Sequence, residues 1–234
     1  MVDCNGVANH VAGSVIRSLV YTEARLGTRI QDRLDHINGE LLAFYNARPR
    51  YNRMPPIRLT NLTGDAGWAV LNGQTVKAAN CRALIPFLVE LADRYFDGPP
   101  STKGALARRA IRALQKYYEI VYTAGMFVNA EQLKQLRRTL LIFGVTYQQL
   151  RMMCQSASTL EWNVVPKVHY FMHMDSVAEH INPTHVQHYH EETRVGLTTR
   201  IWARSARGVY RNHIQELVCL KGLVGFFLRW ETGL

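Results

Sequence analysis

Cysteine is scarce in this chain and never clustered. The four residues, Cys4, Cys81, Cys154 and Cys219, lie far apart and make no C-x-x-C pair. That excludes a disulfide framework and a zinc ribbon, and it fits a reducing, intracellular compartment without separating nucleus, organelle or virion. Acid is scarce as well. Asp and Glu number 18 against 28 Lys and Arg, for a net charge of +10 and a pI near 9.7. A long apolar run is missing: Leu217 to Trp230 is 14 residues and contains Lys221 and Arg229, so no transmembrane segment is expected. There is no Walker A motif, no G-x-G-x-x-G, no G-x-S-x-G and no Cys–His nucleophile pattern. The N-terminal M-V-D-C-N-G has no basic region followed by an apolar stretch, so no signal peptide is expected. Low-complexity tracts and internal repeats are absent too.

What remains is a hydrophobic, basic chain. With 234 residues and 47% hydrophobic residues it can bury one large core or two small ones. Over residues 9–47, Leu26, Ile30, Leu34, Ile37, Leu41 and Phe44 or Tyr45 recur every three or four positions, one face of a helix. Gly27 is a candidate break that would make two helices of it. Residues 77–97 read as helix, kinked or started late by Pro86 and stopped by Gly98-Pro99-Pro100. Ser101 is the expected N-cap of a helix reaching about Tyr122. Another helix is expected from about Asn129 to Ser156. Pro166 suits the first turn of a helix ending near His180, before Asn182-Pro183. Further helices are expected over 191–205 and 207–230. The fold class is therefore mainly α, with short extended segments near 68–76, 162–165 and 186–190. The first of these would be a small hairpin about Asn72-Gly73. The organisation expected is an N-terminal helical segment over 1–50, a basic connector bearing Pro and Gly over 51–76, and a helical main domain over 77–234.

The basic charge is uneven. From Ser101 to Arg151 there are nine Lys and Arg against Glu119 and Glu131, and from Thr193 to Gln215 five Arg and no acid. A polyanion, nucleic acid first and an anionic membrane surface second, is the expected partner. Arg194, Arg200, Arg204, Arg207 and Arg211 read as a phosphate-facing comb with Trp202 interleaved, joined by Lys167. Equally, Ile201 and Trp202 suit a core.

Six of the nine histidines fall between Trp162 and Arg204. His169 and His173, at i and i+4, have zinc-ligand spacing on one helix face. A third ligand is available in His190, His185, His188, Glu191 or Glu192. The alternative is a packing pair with no metal. Adjacent Glu191 and Glu192 suit a helix start, where the dipole favours acid, or a metal-binding corner.

Three stretches together resemble the C-terminal half of KDZ-like and CACTA-like DDE transposases. They are L-N-G-Q-T-V-K-A-A-N-C-R-A-L-I-P-F-L from Leu71 to Leu88, V-P-K-V-H-Y-F-M-H from Val165 to His173, and E-T-R-V-G-L from Glu192 to Leu197. The resemblance covers about residues 71–204. It implies DNA as a partner and a metal-binding acidic triad completed by Glu192, or by Glu191 in a neighbouring register, with Mg or Mn as the metal. The chain departs from that pattern. No strand-rich stretch carrying two Asp precedes Leu71, and Asn80 stands where the family often has Glu. The expectation is a nucleic-acid-binding protein that is not catalytic by itself. The rivals are a structural subunit of a ribonucleoprotein, viral or organellar assembly, meeting its partner through residues 217–230, and a metal-dependent nuclease or hydrolase.

Overall fold

The computed structural model divides the chain into two compact units, Met1–Val186 and Gln187–Leu234. It describes residues 6–48, 53–72 and 78–186, all in the first unit. The described residues form seven α-helices and no β-strand, so the mainly α class holds. In order these are α1 (Val7–Thr22), α2 (Ile30–Asn46), α3 (Ala78–Tyr95), α4 (Lys103–Thr123), α5 (Ala130–Ser156), α6 (Pro166–Met172) and α7 (Met174–Ala178).

The central element is α1. Val7, Ala8, Val11, Ala12, Val15, Ile16, Leu19 and Val20 are all fully buried. A helix apolar nearly all round must be enclosed by its neighbours. Here α2 and α3 lie against it, with α4 and α6 touching it further on. Truncating one of its large residues, such as Leu19 to Ala, would cost about 2–5 kcal/mol. The sequence signal is V-A-x-x-V-A-G-S-V-I-x-S-L-V, less conspicuous than the stripe at 26–45 because it has no polar face to set it off. One continuous apolar core runs from Val7 to Ala178.

The helix stops act where local chemistry puts them. Gly27, at φ 147°, separates α1 and a 3-10 turn (Ala24–Leu26) from α2. The Asp32 carboxylate reaches back to accept from Arg29 N at 3.2 Å, serving an N–H at the α2 start. Helix α3 starts at Ala78 and runs through Pro86. Thr102, not Ser101, caps α4, its hydroxyl accepting from Ala105 N at 3.3 Å. Asn129 and Gln132 satisfy each other's backbone N–H at the start of α5, at 2.9 and 3.1 Å. The short turn between α4 and α5 makes them antiparallel neighbours, and they share the most extensive interface of the fold.

The expected extended segments are irregular chain rather than strands. Residues 68–72 bond to four separate places: Trp68 O accepts from Gly64 N, Ala69 N donates to Leu160 O, Leu71 N donates to Asn9 O and Asn72 N donates to Asn61 O. With its bonds divided among Gly64, Leu160, Asn9 and Asn61, this described part of the expected hairpin has no opposing strand. Its remainder lies outside the described residues. Residues 162–165 are likewise irregular, and Pro183–Val186 forms a 3-10 turn where a strand was expected to begin.

Candidate nucleic-acid interface

The stretch from Trp162 to His173 is first of all a clamp. Trp162 is fully buried with its ring edge-on to Tyr147 at 5.4 Å. Its backbone N donates to Ser14 Oγ at 2.9 Å, and the Tyr147 hydroxyl donates to Asn163 O at 2.7 Å. These bonds hold Trp162 at φ 56°, a left-handed conformation that a bulky residue adopts only under constraint. Val168 and Phe171 of α6 then enter the core, Phe171 edge-on to Tyr117 and Phe143. The V-P-K-V-H-Y-F-M-H segment is thus a helix start with two core anchors.

Its histidines face outward. His169 and His173 are exposed, with ring centroids 4.6 Å apart. The single helix expected to carry both is broken: His173 caps α6 and α7 starts after it. The rings still meet, as a pair. No three His, Cys, Asp or Glu side chains among the described residues gather as a metal site. Five described Asp side chains have partners of their own: Asp32 with Arg29, Asp35 with Gln31, Asp93 with Arg112, Asp97 with Arg25 and Asp175 with Arg137. A paired-metal site keeps two upstream acids for the metal, whereas each of these carboxylates has a cationic or amide partner. Glu191, Glu192 and His190 lie outside the described residues. So do the comb residues Arg194, Arg200, Arg204, Arg207, Arg211 and Trp202, and the segment 217–230. Lys167 is half-buried on α6, where its charge assists burial in lowering the His10 pKa.

What the structure does bring together is the other basic stretch. Arg108, Arg112 and Lys116 are spaced four apart on α4, one face of the helix, with Arg109 beside them. All four line an open cleft of about 450 Å³. Thr139 and Ile142 of α5 form its opposite wall, and Gly98, Pro100 and the small side chains of Ala105 and Ala113 complete it. A second cleft of about 520 Å³ adjoins it, sharing Pro100 and Arg109 and adding Gln149, Met152 and Met153 of α5.

The ion pairs decide how much of this charge is uncompensated. Arg112 pairs with Asp93 at 2.8 Å and Lys116 with Glu119 at 3.1 Å. Elsewhere on these helices Lys103 pairs with Glu161, Arg137 with Asp175 and Glu179, and Arg151 lies over the Trp68 ring at 4.5 Å. Arg108, Arg109, Lys134 and Arg138 have no acidic partner among the described residues. Of these, Arg108 and Arg109 line the clefts. Composition marks residues 101–151 as basic. It does not separate out the arginines absorbed by acids contributed from α3 and α7, because those meetings are tertiary.

Compared with protein-family models, curated proteins and solved structures, the chain matches none. No helix among the described residues is long and apolar enough to cross a membrane.

Proposed function

We propose that this chain is a nucleic-acid-binding module and that the basic face of α4 is its contact surface. The observation that carries this reading is the grouping of Arg108, Arg109, Arg112 and Lys116 along one cleft, with Arg108 and Arg109 unpaired among the described residues. Guanidinium groups at helical spacing give repeated, orientable donors, the chemistry suited to a repeating phosphate backbone. The net charge of +10 adds long-range attraction. The likeness to DDE transposases implies DNA as the nucleic acid and a metal-binding role for Glu192. Cleavage that requires Mg²⁺ or Mn²⁺ and is lost in Glu192→Gln would support that part.

The test is binding of a labelled oligonucleotide over a range of salt. Arg108→Glu with Arg109→Glu should weaken binding at least about tenfold and reduce the salt slope by about 0.7–0.9 for each phosphate no longer neutralised. Arg200→Glu with Arg204→Glu, tested beside it, reports on the second basic stretch. Wild-type affinity in both double variants overturns the proposal.

A second reading, a subunit of a larger assembly, has one observation in its favour. The turn between α4 and α5 exposes Met126 and Phe127 to 57% and 67%, yet its backbone is held by Asn182. A braced turn presenting an aromatic is suited to anchoring in a protein pocket. Purified protein that is monomeric, soluble and stable at high concentration would count against it.

A further inference from the structure

We infer that the trough between α4 and α5 takes single-stranded rather than duplex nucleic acid, an inference that rests on the nucleic-acid reading above. The two clefts adjoin at Pro100 and Arg109, so they form one trough along α4 from Ala105 to Lys116, about 17 Å at the helical rise. Its walls differ in kind. The α4 wall carries Arg108, Arg109, Arg112 and Lys116, whereas the α5 wall carries Thr139, Ile142, Gln149, Met152 and Met153. Met152 is 60% exposed and Met153 37%, which leaves apolar surface in solvent. The apolar surface continues past the trough: Leu141, Val145 and Met152 recur at helical spacing on the outer face of α5, and all three are exposed.

A duplex offers its phosphates outward and keeps its base faces stacked inside. Against this trough it would meet the cationic wall and leave the apolar wall wet. A single strand has a charged edge and an apolar one, the unstacked base faces, and it can lay each against the matching wall. Methionine suits the second role, because its thioether is polarizable, contacts aromatic rings favourably and adapts its rotamer to different bases. Among the described residues no aromatic ring lines the trough, and Gln149 is the one exposed side chain on its α5 wall with both donor and acceptor. Recognition there is therefore tolerant of sequence.

The experiment uses the full chain and fluorescence anisotropy with a mixed-sequence single strand, the matching duplex, and polyglutamate and inorganic polyphosphate as competitors. Expected is single-strand binding at least about tenfold tighter than duplex at the same salt. Met152→Ser with Met153→Ser, exposed positions that leave the core intact, should lower single-strand affinity severalfold and leave duplex affinity unchanged. Arg109→Glu should weaken both. Equal or tighter duplex binding, an unaltered single-strand affinity in the methionine variant, or displacement by polyglutamate or polyphosphate at equal charge overturns the inference. Duplex binding as tight as or tighter than single-strand binding, and dependent on Arg108 and Arg109, would do so while leaving the nucleic-acid reading intact; no binding to either form removes both.

Discussion

Gly13 of α1 and Val70 of the connector meet backbone to backbone. A Cβ built on Gly13 would stand 2.5 Å from Val70 C and Cα. Side-chain-free approach is what lets residues 68–72 lie on the central helix and Leu71 N donate to Asn9 O at 2.9 Å. Gly13→Ala should therefore destabilise the fold by about 1–3 kcal/mol, although alanine is the better helix former. Urea unfolding monitored by circular dichroism checks it. As a control, Gly39→Ala on α2, where an added Cβ meets nothing within 4 Å, should be neutral or stabilising.

Asn182 governs the α4–α5 turn. Its side-chain amide donates to Val121 O and Gly125 O at 2.8 Å and to Ala124 O at 3.2 Å, and its backbone N donates to Met126 O at 2.9 Å. The residue is 1% exposed. Asn182→Ala would take the donor from the buried Val121 carbonyl and from the part-buried Ala124 and Gly125 carbonyls, at a cost of about 1–3 kcal/mol. Hydrogen exchange at residues 124–129 should rise selectively, while amides in the middle of α1 follow only the global change. Uniform exchange across the chain would contradict the brace.

His10 makes stability depend on mild acid. Burial, assisted by the Lys167 charge, lowers its pKa below the ordinary imidazole value. Its Nδ1 is buried without a hydrogen-bond partner. The unfolded chain binds a proton near pH 6.5 that the folded chain takes up only at lower pH. His10's contribution is thus complete above that value and lost as pH falls from about 6.5 towards the lowered folded pKa. Thermal melts between pH 7.5 and 5 should show a decline that His10→Gln reduces. An equal decline in the variant would assign the effect to other groups.

The Lys103–Glu161 pair ties the start of α4 to the segment before α6, and Glu161 is 5% exposed. Lys103→Met would strand that carboxylate, costing about 1–3 kcal/mol. The double variant Lys103→Met with Glu161→Gln should recover part of the loss, read in the same unfolding experiment.

Each of these relationships joins residues that the sequence separates widely, and that separation divides what is legible along the chain from what is not. The helices are legible. Gly27, Gly98-Pro99-Pro100, Asn129 and Pro166 act through φ restriction and capping within a turn or two, so their effects can be read wherever they stand. The apolar stripes declare which faces will be buried, and the charge count declares that residues 101–151 will be basic. Packing between helices supplied the rest. It broke the helix expected to span His169 and His173, and it drew residues 68–72 away from a hairpin by giving their backbone groups distant partners. It also selected which arginines are paired, since Asp93, Asp175 and Glu179 reach α4 and α5 only when α3 and α7 pack against them. Capping and periodicity are local energies summed over a few residues, whereas an ion pair across helices or a trough with one cationic and one apolar wall exists only after the chain has chosen which helix lies beside which.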